Sequence, residues 1–416
     1  MKIIVVGGGA AGMMAAYHAA NIGNQVLLLE KNEKLGKKIY ITGKGRCNVT
    51  NAADMETLFG NINRNAKFCY SALYGFDNNA VYSFMEENGC SLKIERGDRV
   101  FPVSDHASDV IKALSNALKK EKVEVMLNTT VKSLIIEENT VKGVLLSNQK
   151  KLLADKVILA TGGKAGIQYG CTGDGFKLAS SLGHNVIKPI PALTQLLAND
   201  DLSDLGGVRA KARISFISSR EGAETILAED SGEVQFNKDS LSGICTFNVS
   251  RFYQIKDGVK YIAELDLMEE YSEEEFAALL KFRQQNLVGA YAFDLLSCLI
   301  PEKLVFYILK KAEVDPMCII TEVKGRSLQR IIEITKSLRF AIVGTKSWKD
   351  AQVTAGGVDV SEVNAETLES TKSKCLFFAG EILDVDGPCG GYNLTWAFAS
   401  GMIAGSAAAK KCKKID

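Results

Sequence analysis

Gly7, Gly9 and Gly12 stand in the spacing G-x-G-x-x-G, and the acid Glu30 follows them. These residue types suit one task. The glycines let a backbone turn tightly and approach a pyrophosphate, while the acid reaches the 2′-hydroxyl of a ribose. A carboxylate in that place argues against a 2′-phosphate. Other residues able to do chemistry gather in glycine-rich stretches. Lys31, Lys38, Gly43, Arg46 and Asn48 lie in KNEKLGKKIYITGKGRCNVTN, where cations beside a dinucleotide half-site are expected to face its phosphates. Tyr169 and Cys171 lie in GIQYGCTGDG and Tyr392 in GPCGGYN, each a side chain able to hold or deliver a proton.

For the glycines to work in this way they must join a strand to a helix. Ile3 to Val6 is a wholly apolar run suited to a strand buried on both faces, and the alanine-rich stretch after Gly12 suits a helix lying close on a sheet. Such a helix aims its unpaired N–H groups and the positive end of its dipole at the phosphates. Val26 to Leu29 is the second strand, ending in Glu30. Residues 31–51 read as a loop, 54–89 as helices, 92–103 as two short strands, 108–120 as a helix and 123–127 as a strand. From Val131 the sequence alternates like a β-meander, then closes in a buried strand, Val157 to Ala160, ahead of Thr161, Gly162 and Gly163. Asp174 and Gly175 lead into a helix that ends near Gly183.

Pro189 and Pro191 mark a change of character. Strands are expected at 212–218, 225–228, 233–236, 244–249 and 261–265, making a small barrel or sandwich, and helices at 272–286, 291–299, 301–312 and 327–338. Further on, Cys375 to Ala379 is a buried strand, ended by Gly380 and Glu381. A turn through Gly387, Gly390 and Gly391 then opens a helix near Asn393, whose dipole favours negative charge over the turn. The expected fold class is α/β: a Rossmann-like dinucleotide domain with a β-meander, interrupted by an inserted domain with a β-barrel part and a helical part. The expected boundaries are 1–189, 190–345 and 346–416, with the barrel part at 190–268 and the helical part at 270–340. The tail KKCKKID reads as a solvated charge run.

Composition narrows the classes. At 416 residues the chain exceeds one ordinary core, and 46% hydrophobic content can fill several. A net charge of +1 gives no global pull toward nucleic acid, so no nucleic-acid partner is expected. No apolar run reaches spanning length and no leader precedes the first strand, so no membrane partner is expected and the expected location is the cytoplasm. The ten cysteines include no C-x-x-C pair, and His18, His106 and His184 offer a metal little, so no metal site is expected. Oligomeric state has no sequence signal here.

Seven motifs acquire a common meaning: GGGAAG with Glu30, KKIYITGKGRCNVTN, GDRVFPVSDHASDV, ATGG, GCTGDG, VTAGGV and FAGEILDVDGPCGGYNLTWAFASG. Through them the sequence resembles the BaiN/RdsA-like family of bacterial FAD-dependent oxidoreductases, which includes 3-dehydro-bile-acid reductases and relatives called aminoacetone oxidases. The motifs span both ends of the chain. It departs from many relatives at Thr42, Gly43 and Lys44, where they carry a serine-glycine loop, and at Cys171 beside Thr172, where they carry a simpler threonine motif. The resemblance implies a split FAD domain with the insert over the flavin face. It assigns Gly7, Gly9, Ala11 and Gly12 to the pyrophosphate, Glu30 to the adenosine ribose, and Lys38, Arg46 and Asn48 to the phosphates or flavin. Val131 goes to adenine, Thr161 and Gly162 to the nucleotide, and Gly380, Asp386, Asn393 and Leu394 to the flavin end. Lys31, Gly43 and Gly391 join this set from the same motifs.

The implied activity is hydride chemistry on a small-molecule substrate. NAD(P)H would reduce FAD as a transient co-substrate, since no second strand-preceded glycine motif provides a nicotinamide domain. Hydride then passes to an organic acceptor such as a conjugated enone, with Tyr392, Tyr169 or Cys171 as candidate proton donors. Two alternatives stand beside this reading: a flavin-dependent oxidase of a small amine using O2, and an FAD-bearing RNA-modification protein or redox sensor.

Overall fold

The computed structural model describes residues 1–410; the charged tail expected to be solvated lies almost wholly outside them. Its central sheet has five parallel strands in the order Leu376–Phe378, Lys156–Leu159, Lys2–Val6 (β1), Gln25–Leu29 (β2) and Glu124–Met126. Ile3, Ile4 and Val5 are fully buried, as an unbroken apolar run requires in a strand covered on both faces. Between β1 and β2 runs helix α1, Ala10–Ala20, which has no apolar stripe because nine of its eleven residues are buried, seven of them alanine or glycine.

That uniformity has a packing purpose. The C-terminal helix, Tyr392–Ala408, crosses α1 at backbone contact: a Cβ on Gly401 would lie 2.4 Å from the Ala11 carbonyl oxygen, and one on Gly405 2.3 Å from that of Ala15. Glycine facing alanine lets the two helices come together with almost no side chain between them. The expected meander is present as an antiparallel sheet of Val131–Glu137, Thr140–Leu146 and Lys151–Leu153. The Rossmann-like reading of both chain ends therefore holds.

The chain divides into two compact units, Met1–Pro191 with the chain from Gln352, and Ala192–Ala351. The second contains a closed six-stranded barrel: Leu196–Ala198, Ser240–Ser242, Ala223–Phe236, Arg209–Arg220, Val259–Asp266 and Leu338–Thr345, in that order around it. Phe216, Phe236 and Phe340 fill its interior. Helices Glu273–Asn286, Glu302–Lys311 and Arg326–Lys336 belong to the same unit; the first is opened by a capping box of Ser272 with Glu275. In the first unit, Val186–Ala192 and Val353–Val358 form a two-stranded ribbon, and Asp359 N donates to Asn185 O at 3.0 Å, so the chain leaves that unit and returns side by side.

Four local expectations are corrected. Residues 244–249 are a helix, Ile244–Ser250, not a strand. Their β-branched and aromatic side chains mimic strand composition, but the buried positions Cys245, Thr246, Val249 and Ser250 follow a helical period. Residues 225–228 and 233–236 belong to one long strand. The helix expected at 291–299 is only a 3-10 turn, Ala292–Leu295, closed by Asp294 accepting from Tyr291 N. The stretch 31–51 is not all loop, since Lys37–Ile41 is helical.

Candidate cofactor-binding site

The N-terminal glycine turn sits where β1 meets α1. A Cβ on Gly12 would lie 1.8 Å from the Gly7 carbonyl oxygen, so only glycine allows this approach of helix to turn, whereas nothing stands within 4 Å of the equivalent point on Gly9. The space a ligand needs lies over Gly9. No side chain caps α1 and no acid lies in its first turn, so the N–H groups of Ala10, Ala11 and Gly12 face outward without a competing anion. Glu30, buried at the end of β2, accepts from Gly8 N on Oε2 and from the backbone and side-chain nitrogens of Asn32 on Oε1, all at 2.7 Å. Thr129 N donates to the Glu30 carbonyl at 2.8 Å, which brings Val131, the first residue of the meander, to the same end.

Lys31, Lys38 and Arg46 of the next stretch are paired with carboxylates. Lys31 Nζ lies 2.6 Å from both Asp174 Oδ2 and Thr172 Oγ1. Burial works to raise the Asp174 carboxyl, yet Lys31 and Thr172 hold it below the usual range. Lys38 pairs with Glu381 at 2.5 Å, and Glu381 also accepts from Thr354 N at 2.7 Å. Burial opposes the Lys38 charge, but Glu381 and the neighbouring Cys171 outweigh it and hold the ammonium above its ordinary value. The Cys171 thiol is itself pushed up by burial, against the pull of Lys38. Arg46 binds Glu95 and Asp105 and lies 4.2 Å over the Phe101 ring, so its charge is spent within that cluster. Gly43 is left-handed and packs on Asn48, whose Oδ1 is buried and accepts no hydrogen bond among the described residues.

Thr161 and Gly162 follow the strand beside β1. A Cβ on Gly175 would lie 1.9 Å from Thr161 Oγ1, which fixes Thr161 at the start of the helix Asp174–Ser180, while Gly162 faces open space. Tyr169 stands in a short 3-10 turn, and its carbonyl accepts from Asn32 Nδ2 at 3.3 Å.

The C-terminal segment reaches the same turn from the other side. Gly380 is left-handed and its missing Cβ would lie 2.7 Å from Ala11 Cβ. Asp386 is buried, and Asn63 N donates to its carbonyl at 2.9 Å. The Asn393 side chain folds back on the loop before it, accepting from Gly387 N at 2.9 Å and donating to Gly387 O at 2.8 Å. Gly391 caps the C-terminal helix with φ +101° and packs on the Thr50 backbone, Asn51 Nδ2 donates to Gly390 O at 3.0 Å, and Thr395 meets Thr50 at 2.7 Å. Leu394 and Tyr392 occupy the first turn of this second uncapped helix. Burial, then Asp98, push the Tyr392 phenol up.

These residues fit an FAD. The cleared space over Gly9, the uncapped ends of two helices, and the unpartnered acceptor on Asn48 match a pyrophosphate, an electron-rich ring edge and an imide N–H in turn.

A model of the HI0933-like protein Rossmann domain matches residues 1–407. The chain belongs to this family. It is an FAD-dependent oxidoreductase of Rossmann-like fold. One family relative, the 3-dehydro-bile acid delta(4,6)-reductase of Clostridium scindens, is 34% identical over 417 residues, 99% of either chain. Another, the ribosomal RNA dihydrouridine synthase of Escherichia coli, is 28% identical over 95% of both. In fold alone the chain is similar to the 3-ketosteroid delta1-dehydrogenase of Sterolibacterium denitrificans, with 15% identity, TM-score 0.50 and coverage of 98% of this chain and 99% of that one. No helix among the described residues is long and apolar enough to cross a membrane.

Sequence reasoning overlooked Asn32, Thr354 and Asp384 and left Glu381 as a strand end. Asn32 had a local signal, two residues after Glu30. The others act through partners far away in the chain, such as Lys38 with Glu381, and no spacing rule exposes them.

Proposed function

We propose that the protein reduces a carbon–carbon double bond conjugated to a carbonyl in a small organic acceptor, drawing hydride from NAD(P)H. The observation that carries this reading is the full-length 34% identity to an enzyme named for reducing such bonds in a 3-dehydro-bile acid. The second relative points to the same bond type, since making dihydrouridine saturates a double bond conjugated to a ring carbonyl. FAD, when bound, supplies the acceptor and donor of hydride.

The chain's own residues do the rest. The first turn of α1 binds the pyrophosphate and Glu30 the ribose, while Lys38 and Glu381 neutralise each other and leave the phosphates to backbone N–H groups. The head of the C-terminal helix favours the negative charge that hydride brings. Tyr392, at that head, is the favoured proton donor: a phenol carries its proton at neutral pH, and this one lies against the Gly387 to Gly390 turn. Residues 190–345 act as the substrate domain. A cytoplasmic location belongs to the same reading.

A second reading, in which the acceptor is a uracil ring in RNA, is favoured by the relative from Escherichia coli. Residues 192–351 hold more Asp and Glu than Lys and Arg, which weighs against a polyanion as substrate. Anaerobic mixing of holoprotein with NADH, NADPH or small amines, then with enones or an RNA transcript, tests both. Bleaching by a reduced nicotinamide and reoxidation by an enone are expected. Bleaching by an amine alone would replace the reading with an oxidase, and reoxidation by RNA alone would favour the second.

A further inference from the structure

A short loop, Asn61 to Asn65, holds the segment that leads into the C-terminal helix. Asn63 binds Asp386 through its backbone and, at 3.4 Å, through its side chain. Asn65, left-handed at φ +57°, donates to the Asp384 carbonyl at 2.6 Å and to its Oδ2 at 3.3 Å. Arg64 lies 3.4 Å from the same oxygen. From the other side, Asp384 N donates to Val358 O at 3.0 Å, so Asp384 is clamped between the ribbon strand and this loop.

Asp384 is 3% exposed, and its Oδ1 is buried with no hydrogen-bond partner among the described residues. A carboxylate enclosed in this way is costly unless it is paired on both oxygens. The charged groups acting on it are Arg64, from the 61–65 loop, and Asp386, from its own segment; the ribbon strand presents only the Gly356 backbone. One half-exposed guanidinium therefore faces a buried acid on which a second buried acid, Asp386, also acts. Burial pushes the Asp384 carboxyl above its ordinary range, against the pull of Arg64.

We propose that Asp384 is a positioning residue that sets the pH dependence of the cofactor's reduction, holding a proton when the site must accept charge and opposing that charge once ionised. The proposal rests on the reading of Gly380 to Leu394 as the flavin end. A hydride brings two electrons and one proton, leaving one extra negative charge at that end. A protonated Asp384 adds nothing to this charge, whereas an ionised one repels it and lowers the midpoint potential.

The test is the midpoint potential of the holoprotein across pH, by dye-equilibrated anaerobic titration, for wild type, Asp384→Asn and Arg64→Met. Asp384→Asn keeps an acceptor for Asn65 and cannot ionise, so its potential is expected to match wild type in acid and lie above it in alkali. Arg64→Met removes the cation, so the downward bend is expected to move to higher pH. Asn393→Ala, judged by flavin absorbance and fluorescence, reports on the underlying reading. If Asp384→Asn tracks wild type throughout while Asn393→Ala alters the spectrum, the inference is overturned and the reading stands; if neither has any effect, both fall. Should Asp384→Asn not fold, a bend unmoved in Arg64→Met overturns the inference.

Discussion

Glu30 receives three donors from Gly8 and Asn32, so the carboxylate proposed to hold the ribose also braces the glycine turn after β1. Replacing it with alanine is expected to weaken FAD retention by about tenfold to hundredfold, the scale of a charged hydrogen bond, while sparing the fold. Ultrafiltration of holoprotein against dilute FAD measures this, and unchanged retention would remove the ribose assignment. Tyr392→Phe is expected to slow enone reduction by about a hundredfold to ten-thousandfold while flavin reduction by NAD(P)H stays unaltered, as separate half-reactions would reveal. His18 makes a different prediction. Burial lowers its pKa to about 4, and its Nε2 has no partner among the described residues. Between the unfolded value of about 6.5 and 4 the unfolded chain binds the proton that the fold refuses, so this contribution to stability is complete above 6.5 and declines as pH falls, by about 3 kcal/mol in all. Urea melts of wild type and His18→Leu at both ends of that window should differ in slope with pH. The turn from β1 into α1 was legible because Gly7, Gly9 and Gly12 lie in one local motif. Asp384 was not, because its partners Arg64 and Val358 come from distant stretches.

At the scale of elements, what could be read was what repeats within a few residues. Apolar β1, the alanine-rich α1 and the alternating meander each announce themselves, whereas Ile244 to Ser250 carries strand-like residues and takes helical form after Gly243, whose missing Cβ would lie 2.0 Å from the Glu233 carbonyl oxygen. The strand Leu338–Thr345, which closes the barrel, was missed because its neighbours around the barrel are remote in sequence. The crossing of α1 with the C-terminal helix also inverts a propensity rule. Alanine exceeds glycine in helix preference by about 1 kcal/mol, yet Gly405→Ala places a methyl against the Ala15 carbonyl. The expected result is a net loss of about 1–3 kcal/mol and a lower Tm, read by thermal melting. A raised Tm would mean that the helices can move apart without penalty.

For the whole molecule, the change of character near Pro189 and Pro191 lies beside the end of the first unit's opening segment at Pro191, whereas the return expected at residue 346 falls at Gln352 in the division into compact units. The ribbon of Val186–Ala192 with Val353–Val358 marks that return, since its strands run out and back together. Joining Pro191 to Gln352 by a short glycine-serine linker is expected to give a folded protein that still takes up FAD and no longer selects an enone acceptor. Flavin absorbance after reconstitution and a substrate panel check this, and an apoprotein unable to take up FAD would argue against it. The ribbon also has a historical and practical consequence. A graft point whose two ends already touch imposes one requirement on whatever is grafted there, that its own termini be neighbours. The two units can then change by separate steps, and chimaeras cut at this ribbon are the natural way to exchange the inserted unit.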